Sequence, residues 1–167
     1  LVVAAGGRSS SHLSTAERYN VSTTKWLSAG DLGAARSGHA AALLPDARVL
    51  LVGGKGADGA LGTMVEYSPG PSTWAEVETG GERESHTATV LPGGRVLVVG
   101  GLVQAGWLSD AEIVDRMNPS WTTVGTTWGR KFGTATPLPN GKVLVLGAAS
   151  AGDVTRGAIF NPGSNTW

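Results

Sequence analysis

Cysteine is missing altogether from the 167 residues. That absence excludes a disulfide framework, a thiol nucleophile and any zinc or iron–sulfur site built on thiolates. Charge of one sign is missing too: Lys and Arg number 13 and Asp and Glu 13, so the formal net charge is zero. Without a net positive field there is little to hold a polyanion, which sets nucleic acid aside as a partner. No apolar run approaches the ~18 residues of a membrane-spanning helix, so membrane insertion is not expected. A Gly-x-Ser-x-Gly elbow, a phosphate-binding loop and a His-Glu-x-x-His pair are absent as well. What the chain has instead is turn formers. Gly 26 and Pro 8 make up about a fifth of it, which favours many short strands joined by tight turns over long helices. A hydrophobic share of 41% is enough for a folded core, and the length suits one domain.

The dominant signal is an internal repeat. Gly6-Gly7, Gly53-Gly54, Gly100-Gly101 and Gly147-Ala148 recur every 47 residues. Arg36, Arg83 and Arg130 keep the same interval, as do His39, His86 and the Gly133 that replaces the third histidine. Trp26, Trp74, Trp121 and Trp167 follow at 48, 47 and 46. Before each glycine pair lies an apolar run without polar alternation, as in Val49-Leu50-Leu51-Val52 and Val96-Leu97-Val98-Val99. Such a run predicts a strand covered on both faces, the second of its unit. Small residues ahead of it, Ala40-Ala41-Ala42 and Thr87-Ala88-Thr89, predict a cramped first strand. Pro45-Asp46-Ala47, Pro92-Gly93-Gly94 and Pro139-Asn140-Gly141 between the two read as hairpin turns. Pro137 is a misfit in the last of these first strands, because it removes a ladder donor. A third strand ends near Tyr19, Tyr67, Met117 or Phe160, and the repeated Trp opens the fourth.

The Gly-Gly pair, the aromatic before an Asn/Ser-Pro turn and the Trp seven residues later resemble the kelch repeat. Tyr19–Trp26, Tyr67–Trp74 and Phe160–Trp167 keep that spacing, whereas Met117 lies only four before Trp121, so the third unit is expected to depart. The wording Arg36-Ser37-Gly38-His39 and Arg83-Glu84-Ser85-His86, followed by Leu-Pro-x-x-Arg-Val-Leu, is similar to bacterial kelch proteins and to the propeller of galactose-oxidase-like enzymes. The resemblance implies an all-β, kelch-type β-propeller segment of about three and a half four-stranded antiparallel blades. The single partial domain, 1–167, divides into blades at about 1–30 (partial), 36–79, 83–125 and 130–167 (partial). The repeat arithmetic expects the first unit to open at its second strand and the last to stop at its fourth. The remaining blades are then expected from the same longer chain, with self-association as second choice. Many bacterial proteins of this wording are exported, so the resemblance leans toward an extracellular or cell-surface setting.

In an antiparallel unit the second-to-third and fourth-to-first connections emerge on one face, which carries the longer loops: 8–15, 55–62, 102–110 and 149–156. Arg36, Arg83 and Arg130 begin each first strand there. One reading lines a channel mouth with three guanidinium groups that recognise an anion. The stronger one has each Arg brace its own blade, bonding carbonyls or an acid such as Glu17, Glu66 or Asp115, since recurrence in register favours structure. His39 and His86 recur likewise and have no ligand partners, so no metal is expected. Asp58, Asp110 and Asp153 sit in loops as turn formers. Trp107 and Trp128 fall off the Trp column, in loops of this face, and are candidates to stack on a sugar ring or anchor a peptide. The candidate ligand-binding set is therefore Arg36, Arg83, Arg130, Trp107 and Trp128, with no catalytic residue and no cofactor. The function expected is non-catalytic recognition of a protein or carbohydrate ligand on this face. The alternatives are an accessory propeller of a secreted carbohydrate-active or galactose-oxidase-like enzyme, with its active site elsewhere, and a structural surface repeat.

Overall fold

The computed structural model describes residues 2–118, 120–126, 131–148 and 156–167. The described residues form strands and turns without a helix. The first antiparallel sheet is ordered β1 (Val2–Ala5), β2 (Thr15–Asn20), β3 (Lys25–Asp31). The second is β4 (Ala40–Leu43), β5 (Val49–Val52), β6 (Thr63–Ser68), β7 (Thr73–Thr79). The third holds β8 (Thr87–Val90) and β9 (Val96–Val99), followed in the chain by a hairpin of β10 (Leu102–Val103) and β11 (Gly106–Trp107) that stands outside it. It is completed by β12 (Asp110–Asp115) and β13 (Ser120–Thr126), in the order β8-β9-β12-β13. The fourth is β14 (Lys131–Pro137), β15 (Val143–Ala148), β16 (Arg156–Phe160).

Each sheet packs on the next, and the side-chain alternation of one strand explains how. Val49 and Leu51 join Val3, Ala5, Val65, Tyr67 and Trp74 between the first and second sheets. Leu50 and Val52 turn the other way, onto Val96, Val98 and Val114 of the third. Leu97 and Val99 then meet Val143, Val145 and Phe160 of the fourth. This double-sided burial is why the second strands carry no polar alternation. The small-residue strands β4, β8 and β14 lie against one another, whereas the Trp-bearing β7 and β13 occupy the opposite edges of their sheets.

Three local expectations are settled by register. In all three fully paired third-to-fourth strand hairpins the residue opposite Trp is seven before it: Tyr19 faces Trp26, Tyr67 faces Trp74 and Val114 faces Trp121. The third unit therefore keeps the spacing; what it lacks is the aromatic, because Val114 and not Met117 occupies that position. Met117 is exposed in the turn. Pro137 pairs with Val143 at the last position of an edge strand, where a missing ladder donor costs little. The proline turns close as hairpins, with Leu91 N–H donating to Arg95 O at 2.7 Å and Gly93 and Gly94 at φ 86° and 84°.

Two of the three seams between the described sheets are stapled through indoles. Trp74 Nε1 donates to Ala29 O of the first sheet at 2.9 Å, and Trp167 Nε1 to Val124 O of the third at 3.0 Å. Each indole reaches the residue three beyond the Trp of the preceding sheet. Trp26 heads the same column and is half exposed, stacked only on Tyr19 at 5.3 Å between ring centroids.

Candidate functional site

The in-register residues are consumed by the frame. Arg36 is fully buried: Nη1 donates to Gly53 O at 2.8 Å and Thr63 O at 3.1 Å, and Nη2 to Thr63 Oγ1 at 3.0 Å. Arg83, 1% exposed, donates from Nη1 to Gly100 O at 3.1 Å and from Nη2 to Asp110 Oδ2 at 3.2 Å and to Glu112 Oε2. Each guanidinium ties the residues before its first strand to the end of the second and to the third. Neither lines the loop-bearing face. The acids that carry this bracing differ from those expected. Glu66 pairs with Arg48 at 2.5 Å and Arg116 at 3.2 Å, and Asp115 accepts the turn N–H groups of Met117 and Asn118. Arg130 and Trp128 lie outside the described residues.

The glycine pairs explain why Arg and Gly recur together. Gly7 N–H donates to Arg36 O and Gly54 N–H to Arg83 O, both at 2.8 Å, so the pair in one sheet grips the arginine backbone of the next. A Cβ on Gly6 would stand 2.6 Å from Arg36 O, and one on Gly53 2.5 Å from Arg83 O. Both glycines also hold positive φ, 61° and 56°. The histidines fill the same seam: the ring Cε1 of His86 would lie 3.0 Å from a Cβ on Gly53. Burial first, then the neighbouring Arg83, pushes the His86 pKa down to about 3; burial and then Arg36 lower that of His39. Both are neutral at physiological pH. Burial likewise raises the Glu112 pKa and outweighs the opposing pull of Arg83, with Asp110 adding to the rise.

Residues that break the repeat converge on the loop-bearing face. A groove of about 540 Å³ runs between the 55–60 loop and the β10–β11 hairpin, and Lys55, Asp58, Glu84, Gln104 and Trp107 are among its walls. A second groove, of about 470 Å³, shares Asp58 and Gln104 with it and continues to Ala34, Ala35 and Glu82. Backbone bonds hold both walls. Lys55 N–H donates to Ser37 O at 2.7 Å, Ser37 N–H returns to Lys55 O at 3.0 Å, and Leu61 N–H reaches Gly54 O at 2.7 Å. Opposite, Leu102 and Glu84 exchange bonds of 2.8 and 3.0 Å, and Leu102 pairs with Trp107 across the hairpin. The Lys55 Nζ–Glu84 Oε1 ion pair, 3.1 Å, crosses from one wall to the other.

Of the three expected residues that are described, Trp107 is placed in this groove, half-buried, and Arg36 and Arg83 sit inside the sheets. The sequence pattern does not single out Lys55, Glu84 or Gln104, and it marks Asp58 only as a turn former. A usable signal existed in the columns themselves. Lys55 aligns with Leu102, Glu84 with Ser37 and Trp107 with Ala60, so these positions change character from unit to unit while the Arg column and the first Gly column do not. Among the described residues no three His, Asp or Glu side chains group as a metal site.

No protein-family model matches the chain, and no curated protein matches it.

Proposed function

We propose that the chain is a section of a kelch-type β-propeller that works as a non-catalytic recognition module, seating its ligand on the face formed by the 55–60 loop and the β10–β11 hairpin. Four successive antiparallel sheets, packed on one another through the same columns, support the propeller part of this reading. The convergence of small-residue strands and the Trp-bearing opposite edges fit the taper of blades around an axis. The observation that carries the recognition part is the groove itself: a braced cavity of ligand size whose walls are the residues that leave the repeat. A structural repeat alone gives no reason for Trp107 where the preceding unit has Ala60.

Further blades are the partners of the two outer faces. Val2 and Trp26 on the first sheet are 54% and 50% exposed, and Leu146 and Ile159 on the last are 39% and 48%. The residues aligned with Val2, Trp26 and Leu146 in the interior sheets are packed in the seams. The recognition reading is tested by screening the immobilised chain against peptide and glycan libraries, in parallel with Gln104→Ala and Trp107→Ala. A ligand held by the parent and lost by both variants, with unchanged far-ultraviolet circular dichroism, is the expected result. Ligands that bind all three chains alike would overturn it.

A further inference from the structure

The recognition reading leaves the ligand's chemistry open, and the composition of the groove narrows it. Among the described residues Lys55 is its only cationic wall residue, and that charge is engaged by Glu84. An anionic ligand would therefore meet Asp58 and Glu84 with no unengaged cation among the described residues to receive it. Extended peptides that dock by adding a strand need an open strand edge. Here Lys55 bridges to both Ser37 and Ala60, and Leu102 to both Glu84 and Trp107, so the inner segment of each wall has no free edge for an added strand. What remains is side-chain chemistry: an indole beside a carboxylate, an amide and an ion pair.

That set suits a ring with one apolar face and a rim of hydroxyls. Indole surfaces bury apolar C–H faces while leaving the rim to hydrogen-bond. Hydroxyls both donate and accept, and the walls answer both needs: Lys55 donates, Asp58 and Glu84 accept, and Gln104 does either. The volume of about 540 Å³ falls within the ~300–1,000 Å³ of small-molecule sites. Asp58 and Gln104 are shared with the adjoining groove of about 470 Å³, which gives a bound chain room to continue.

We propose that this groove binds an uncharged oligosaccharide, one ring stacked on Trp107 and its hydroxyls shared among Asp58, Gln104 and the Lys55–Glu84 pair, with the next ring running toward Ala34 and Ala35. The inference rests on the recognition reading. Its walls are held by backbone bonds before ligand arrives, so little ordering is needed on binding.

The test is an array of neutral glycans, followed by titration of the best-bound oligosaccharide while the six Trp indole N–H resonances are recorded, with Trp107→Phe identifying that of Trp107. Saturable movement of the Trp107 resonance is expected, with Trp26 unmoved. Affinity should fall at least tenfold in Trp107→Ala and in Asp58→Ala, the latter at an exposed loop position that the frame does not use. An array without binders, or binding unchanged in both variants, overturns the proposal. A peptide or protein that moves Trp107 where no glycan does overturns the saccharide and leaves the recognition reading standing. A ligand indifferent to both variants overturns both.

Discussion

The second and third sheets are built on one plan and solve its central problem differently. Arg36 hydrogen-bonds to oxygens of neutral groups, from Gly53 and Thr63, and feels the Glu76 carboxylate without bonding it, whereas Arg83 meets two carboxylates directly, Asp110 and Glu112. Tyr67 stacks on Trp74 at 5.0 Å in one; in the other Val114 leaves Trp121 without that stack, and the indole lies instead 5.9 Å from the Arg83 guanidinium carbon. Trp74 donates to the preceding sheet, while Trp121 Nε1 is buried without a hydrogen-bond partner. Val114 also borders a small pocket with Leu50, Met64 and Val77. The column sets where a guanidinium and an indole go; what satisfies them is free to drift.

This difference can be broken at the arginines. Arg83→Leu strands the mostly buried Glu112 carboxylate and the partly exposed Asp110 and should lower the unfolding free energy by roughly 3 kcal/mol. Arg36→Leu leaves only carbonyl and hydroxyl oxygens unpaired and should cost roughly 1–3 kcal/mol. Urea denaturation ranks the pair, and an Arg36 variant worse than its Arg83 counterpart would contradict the contrast. At the indoles the gap is smaller. Trp74→Phe loses the bond to Ala29 O and should cost about 1 kcal/mol more than Trp121→Phe, which has none to lose. At the rim, Asp46→Ala removes the exposed contact with Arg116, 2.6 Å, and should cost less than about 1 kcal/mol.

Acid separates the two histidines. His86 stays neutral in the folded chain down to about pH 3, whereas an unfolded histidine takes up its proton near 6.5. Between those values the unfolded state binds more protons, so the His86 contribution is complete above about pH 6.5 and is lost as pH falls toward 3. His39 acts in the same direction. His86→Gln should flatten the fall in stability over that window more than His39→Gln does, as followed by urea midpoints at several pH values. Equal slopes in the parent and the His86 variant would contradict the assignment.

The frame was legible because its constraints repeat. A glycine where a Cβ would stand 2.5–2.6 Å from a neighbouring carbonyl oxygen and an arginine bonded within its own sheet leave columns that recurrence exposes. The aromatic column misled in the third unit, since Val114 performs the pairing without the ring and Met117 stood nearby as a false substitute. The identity of the arginines' partners was not readable, because Thr63, Asp110 and Glu112 satisfy the same bond with different chemistry. The groove was half readable. Trp107 stood out as an aromatic off its column, but Lys55 and Glu84 lie 29 residues apart and meet only because successive sheets stack.

The division between a repeating frame and a non-repeating site is tested most directly by unfolding Arg83→Leu and Trp107→Ala in urea beside the parent chain. Trp107→Ala should stay within about 1 kcal/mol of the parent while Arg83→Leu loses roughly 3 kcal/mol. A Trp107 variant as unstable as the Arg83 variant would make the tryptophan part of the frame and remove the ground for a binding site there.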